Sequence, residues 1–147
     1  MIKQKPDVLF HHFQSTSNQD YLLYVCKLVE KGFKENFKPI YIQTKNHKQA
    51  EQLDKLLWTF RQESFIPHAI LNDSETLTAP VQIGWHKNSL DAAEAIINLS
   101  ENIPNANIST KKIHEIVDED GILKEKARER WKHYKTEGFD LKVHHIK

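Results

Sequence analysis

The chain of 147 residues is short of glycine and cysteine, has no charge excess and contains no long apolar run. Each shortage excludes something. The only glycines are Gly32, Gly84, Gly121 and Gly138. They stand too far apart to spell G-x-G-x-x-G or G-x-x-x-x-G-K-[ST], so no glycine-rich phosphate cradle can be written here. The single cysteine, Cys26, allows no internal disulfide and no cysteine-based zinc site. It lies in the apolar run YLLYVCKLV, where a buried, inert thiol is expected. Lys plus Arg number 21 against 20 Asp plus Glu, a net charge of +1. A protein held on DNA mainly through phosphates usually carries a larger basic excess. No apolar stretch is long enough to span a bilayer, and no signal-peptide pattern opens the chain. The expectation is a soluble, cytoplasmic protein.

What is present is alternation. The length suits one domain, residues 1–147, with no linker and no repeat. DVLFHHF (7–13) is β-branched and aromatic and reads as a strand. Residues 18–37 read as a helix capped by Ser17 or Asn18, with Tyr21, Leu22, Val25, Leu28 and Val29 at helical spacing. PIYIQT (39–44) suits a buried strand. Asn46 caps a second helix, 47–60, with Ala50, Leu53, Leu57 and Phe60 on one face. Strands are expected at 80–85, at 95–99 after a helical lead-in at 89–93, and at 112–117. Residues 119–136 are strongly helical, with Asp118 or Asp120 as cap and Gly138 near the stop. DLKVHHI (140–146) alternates and reads as a last strand. Such an order predicts a three-layer α/β/α domain on a mostly parallel open sheet, mixed at most in part. It is Rossmann-like without a nucleotide-binding glycine loop.

Catalytic patterns are missing. The nine histidines include no H-E-x-x-H, and His11–His12 and His144–His145 point to opposite strand faces, so neither pair can share an ion. No G-x-S-x-G elbow occurs. The acids at 118–120 stand at a helix start, where they favour the dipole by about 0.3–1 kcal/mol. No catalytic residue, metal ligand or cofactor is assigned.

Two constellations resemble interaction surfaces. ILKEKARERWKHYK (122–135) holds six bases against two acids. On a helix, Leu123, Ala127, Arg130 or Trp131, and Tyr134 form the inward stripe. Lys124, Arg128, Trp131, Lys132 and Lys135 form the adjoining one. An aromatic ring between Arg128 and Lys132 suits an acidic segment with an apolar anchor. The plain alternative is a solvated basic face, and a single-strand nucleic-acid footprint is a third reading. The second constellation is WTFRQESFIPH (58–68), where Trp58, Phe60, Phe65 and Ile66 cluster beside Pro67. It either caps the core or meets a partner.

The segments KQAEQLDKLLW (48–58), ESFIPH (63–68), APVQIGW (79–85), EIVDED (115–120) and ARERWKHYKTEGFDL (127–141) stand in the order found in the chi subunits of bacterial DNA polymerase III, and the chain resembles that family from roughly residue 40 onward. The resemblance implies a non-catalytic replication accessory subunit in the nucleoid or replisome. It implies a 1:1 heterodimer with the psi subunit, and through psi a link to the clamp loader. It also implies a second partner, the acidic C-terminal tail of single-stranded DNA-binding protein, which ends in Pro-Phe. Nucleic acid would thus be met indirectly. The tail site would fall on Val117, Lys124, Arg128, Trp131 and Lys132, and the psi site on Trp58, Phe65, Pro67 and His68. A Rad3-type repair helicase would compete for the psi surface. Position 131 is commonly tyrosine in the family, and the histidines of the first strand are not expected from it. The competing readings are a metal- or nucleotide-dependent hydrolase or nuclease, and a direct single-strand DNA binder.

Overall fold

A computed structural model of the chain describes residues 5–13, 17–61, 65–70, 79–85, 93–104, 110–118 and 121–146, and the side chains of the last helix from residue 124 onward. The elements are β1 (Asp7–Phe13), α1 (Asn18–Lys34), β2 (Ile40–Gln43), α2 (His47–Thr59), β3 (His68–Ile70), β4 (Val81–Gly84), β5 (Ala95–Asn98), β6 (Lys112–Val117), α3 (Gly121–Thr136) and β7 (Leu141–Ile146). The strands form one sheet in the order β3-β4-β2-β5-β6-β1-β7. Every described pairing is parallel, where a mostly parallel sheet was expected.

The period of two along each strand divides the core into two layers. Ile40, Ile42, Ile83 and Ile97 face Val25 and Val29 of α1 and Leu53 and Leu57 of α2. Val8, Phe10, Ile96 and Ile113 face the other way, toward Ala127 and Tyr134 of α3. Helices therefore cover both faces, which completes the α/β/α sandwich. The caps are those the sequence supplies. Ser17 Oγ accepts from Asp20 N at 3.3 Å. Asn46 Oδ1 accepts from Gln49 N at 2.9 Å, and Gln49 Oε1 accepts from Lys45 N at 2.9 Å.

Some element bounds differ from expectation. Helix α1 stops at Lys34 instead of 37, because Asn36 takes a left-handed backbone (φ 67°) that ends the helical run. Strand β3 was not expected; three residues are too few to show a period. The lead-in at 89–92 and the first residues of the last helix, 119–120, lie outside the described residues.

The deepest polar feature sits between β6 and α3. Glu115 is fully buried and accepts from Arg130 Nε at 3.0 Å, Tyr134 Oη at 2.7 Å and Asn98 Nδ2 at 2.9 Å. Asn98 continues inward to Ser100, and Ser100 to Gln43. Burial pushes the Glu115 carboxyl above its ordinary range, and Arg130, Tyr134 and Asn98 pull it back. Open α/β sheets usually bind ligands at the carboxyl ends of their strands. Here Arg130 reaches that region and donates to Glu101 O at 3.1 Å. The cavity left among Tyr21, Ser100, Asp118 and Arg130 is about 10 Å³, room for about one water.

On the opposite layer, burial holds His11 down at about 4, with His144, Lys112 and Lys31 adding to the effect. It holds His114 at about 3, with His11, Lys112 and Lys31 adding. The two rings meet, His11 Nε2 to His114 Nδ1, at 2.8 Å.

Breaking a buried ion pair on one side leaves an uncompensated charge. Arg130→Met is expected to cost about 3–5 kcal/mol in urea unfolding, and Glu115→Gln added to it to recover part of that loss. The histidines predict a pH slope. Both are neutral in the fold, whereas a free imidazole titrates at 6.5. As pH falls from about 6.5 toward 4, the unfolded chain takes up protons that the native chain refuses, so stability falls across that window. His114→Gln should flatten the slope in urea midpoints measured from pH 4 to 7.

Candidate functional site

Helix α3 presents its two stripes much as its sequence suggests. Ala127, Arg130 and Tyr134 are buried, Trp131 is half-buried, and Arg128, Lys132 and Lys135 are exposed. Of the two candidates for the inward stripe, Arg130 is the one that turns in, to join Glu115. Tyr134 is held above its ordinary range by burial and by the Glu115 carboxylate, so its hydroxyl stays a donor.

Trp131 stands edge-on to Phe10 of β1, with ring centroids 5.1 Å apart. Around it lies a cavity of about 160 Å³ lined by Phe10, His12, Val117, Ala127, Arg128 and Trp131, with Lys124 and Val143 at its sides. Four of the five residues proposed for one binding site, Val117, Lys124, Arg128 and Trp131, therefore share one concave surface. Lys132 does not line it; it stands one turn beyond Arg128, exposed. The surface combines an apolar floor, an aromatic wall, a guanidinium and lysine side chains. That donor set suits a carboxylate attached to an apolar group.

Phe10, His12 and Val143 were missed by sequence reasoning. They reach the cavity because β1 pairs with both β6 and β7, matching Phe10 to Glu115 and to Val143. The alternation of DVLFHHF and DLKVHHI was the available signal, but it does not say that the two strands are neighbours. The same register brings His12 to His145, with ring centroids 5.4 Å apart. Adjacent histidines do point to opposite faces, yet each meets another histidine across the sheet. Among the described residues no group of three His, Cys, Asp or Glu could hold a metal ion.

The second constellation divides. Ile66 is buried at 2% exposure and Phe60 packs on the core. Trp58 is 50% exposed and Phe65 69%. Their rings lie 5.7 Å apart and form an apolar patch at the β3 edge of the sheet. Pro67 is half-buried beside it. His68 is buried, not presented: its Nδ1 bonds Ile66 O at 2.6 Å, its Nε2 faces Asp54 O at 3.1 Å, and the Trp58 ring packs against it, tilted by 42°, at 4.2 Å. It supports Trp58 from beneath.

Residues 6–142 match the model of the family described as DNA polymerase III chi subunit, HolC. The chain belongs to the chi subunit family. The match reaches further toward the N-terminus than residue 40, so β1 and α1 are part of the likeness. Relatives named DNA polymerase III subunit chi agree. The Pseudomonas aeruginosa protein is 28% identical over 93% of this chain and 94% of its own. The Escherichia coli K12 protein is 31% identical over 80% of each, and the Haemophilus influenzae protein 30% over 74% of this chain and 76% of its own. The crystal structure of T4 UvsW is similar in fold, with a TM-score of 0.66 over 98% of this chain and 42% of that one. At 7% identity it speaks for the Rossmann-like fold alone. No helix among the described residues is long and apolar enough to cross a membrane.

The end of α3 is fixed by Gly138, whose φ is +83°. Gly138 N donates to Lys135 O at 3.2 Å and Phe139 N to Tyr134 O at 3.0 Å, the paired bonds of a Schellman stop. Phe139 packs on Tyr134 at 5.2 Å. A Cβ at this position disfavours the left-handed backbone, so Gly138→Ala should lower stability by about 1–2 kcal/mol. A thermal melt reads this directly; an unchanged midpoint would contradict the assignment.

Proposed function

We propose that this chain is a non-catalytic accessory subunit of the replicative polymerase that links the clamp loader to strand-coating protein. In this reading it binds the acidic C-terminal tail of single-stranded DNA-binding protein on α3 and the psi subunit on the patch at Trp58 and Phe65. The observation that supports it most is the shared cavity of Val117, Lys124, Arg128 and Trp131. A tail ending in phenylalanine offers this cavity a ring for the apolar floor and a carboxylate for Arg128. Lys132 and Lys124 then meet acids further back along the tail. Exposed ion pairs contribute only about 0.2–1 kcal/mol each, so the buried ring supplies much of the affinity. Trp131 retains the aromatic wall where a tyrosine is common in the family, without a phenolic hydroxyl. The exposed apolar pair at Trp58 and Phe65 favours psi, because large apolar groups in contact at a surface gain by being covered.

A tail peptide titrated into the protein should bind at micromolar strength, about −8 kcal/mol, and more weakly in high salt. Arg128→Ala and Lys132→Ala should each weaken it several-fold, read by heat or by Trp131 fluorescence. Undiminished binding in both variants would sink the α3 assignment. Trp58→Ala should abolish co-purification of psi while leaving peptide affinity unchanged.

A further inference from the structure

A further cavity lies on neither surface described above. It is a groove of about 480 Å³ on the α1 layer, between α1 and the edge strand β7. Its floor is the sheet itself, with Leu9, Ala95 and Ile97 below and Leu28 and Phe37 as an apolar wall. Four lysines surround it: Lys27 and Lys31 from α1, Lys112 from β6 and Lys142 from β7. Among the described residues lining the groove, Glu35 is the one acid. Lys27, Lys31 and Lys142 are exposed. Lys112, Lys142 and Leu9 lie early in their strands, so the groove opens away from the strand ends that Arg130 closes.

Histidines line the deep side. Tyr24 Oη, His11 and His114 form a hydrogen-bonded chain, 2.6 Å from Tyr24 Oη to His11 Nδ1 and 2.8 Å from His11 Nε2 to His114 Nδ1. The chain can run in either sense. If Tyr24 donates, His114 Nε2 ends it as a donor; if the tautomers reverse, His114 Nε2 ends it as an acceptor. The flat apolar floor, an adaptable hydrogen-bonding end and a ring of cations form one constellation.

We propose that this groove binds a nucleotide unit, with its phosphate among Lys31, Lys112 and Lys142 and its base on the Leu9–Ala95–Ile97 floor beside His114. Two features favour a nucleotide over an acidic peptide. The volume suits a small ring system with its substituents. The hydrogen-bonding end is planar and can present a donor or an acceptor, as base edges require. Glu35 and the carbonyl end of α1 repel a phosphate; Lys31 in the last turn of α1 offsets them, and Lys112 and Lys142 add charge from β6 and β7.

The test is fluorescence anisotropy of a labelled oligothymidylate with the full chain at low salt, with thymidine monophosphate as competitor. Lys31→Glu combined with Lys142→Glu should weaken binding at least about tenfold and reduce the salt slope by roughly 0.7, one single-strand phosphate contact. Both lysines are exposed, and an unchanged thermal melt would show that the fold survives. Arg128→Ala should leave oligonucleotide affinity within about twofold, which separates this groove from the α3 surface. Competition by the monophosphate at matched phosphate concentration would identify a free nucleotide as the ligand, and competition by oligomers alone a single strand. The proposal is overturned if no oligonucleotide or monophosphate binds at millimolar concentration, or if the double reversal has no effect. It is overturned equally if Arg128→Ala abolishes binding, or if a glutamate-rich peptide binds the groove more tightly than the oligonucleotide.

Discussion

The pairing of Glu115 with Arg130 is the constraint on which the rest of the molecule turns. A carboxylate with no exposure, in the middle of a parallel sheet, is tolerable only with a cation and further donors around it. Arg130 supplies the charge, Tyr134 and Asn98 supply the donors, and two of these three come from α3. The helix is therefore fixed in rotation as well as position. With Arg130 and Tyr134 turned inward, Arg128 and Lys132 must turn outward, and Trp131 must fall at the boundary against Phe10. The same arginine occupies the strand ends where sheets of this class usually hold ligands. One buried pair thus both closes the customary site and orients the basic face of α3.

The exposed apolar residues follow a comparable logic at the other end of the sheet. The apolar run at residues 58–66 divides because Ile66 turns into the core while Trp58 and Phe65 cannot follow. His68 is spent on backbone carbonyls and on packing against Trp58. A ring held from below by a satisfied, buried histidine is presented in one orientation, which lowers the entropy lost when a partner covers it.

Much of this was legible in the sequence because it depends on local periods. The stripes of α1 and α2, the caps at Ser17 and Asn46 and the stop at Gly138 each depend on residues within a few positions of one another. The separation of Arg128 and Lys132 from Ala127 and Tyr134 followed from the same helical period. The five family segments marked the ancestry. What could not be read were the relations between distant segments. That β1 lies between β6 and β7 decides that Phe10 and Val143 wall the α3 cavity, and that His11 reaches His114. The helical period left Arg130 and Trp131 as alternatives for the inward stripe, because the acid that draws Arg130 in lies on β6. The basic groove beside α1 was invisible for the same reason, since its lysines come from three separate elements.

The strand order has a mechanical meaning as well. Trp58 sits by the outermost strand on one side, and Trp131 packs on β1, five strand positions away and on the opposite face. At about 4.8 Å per strand the two surfaces are roughly 24 Å apart, well beyond the range at which substitutions normally couple. Their binding free energies should then simply add. Any assembly that grips both faces experiences a rigid spacer, and its avidity is set by the effective concentration that spacer imposes, not by communication through the sheet.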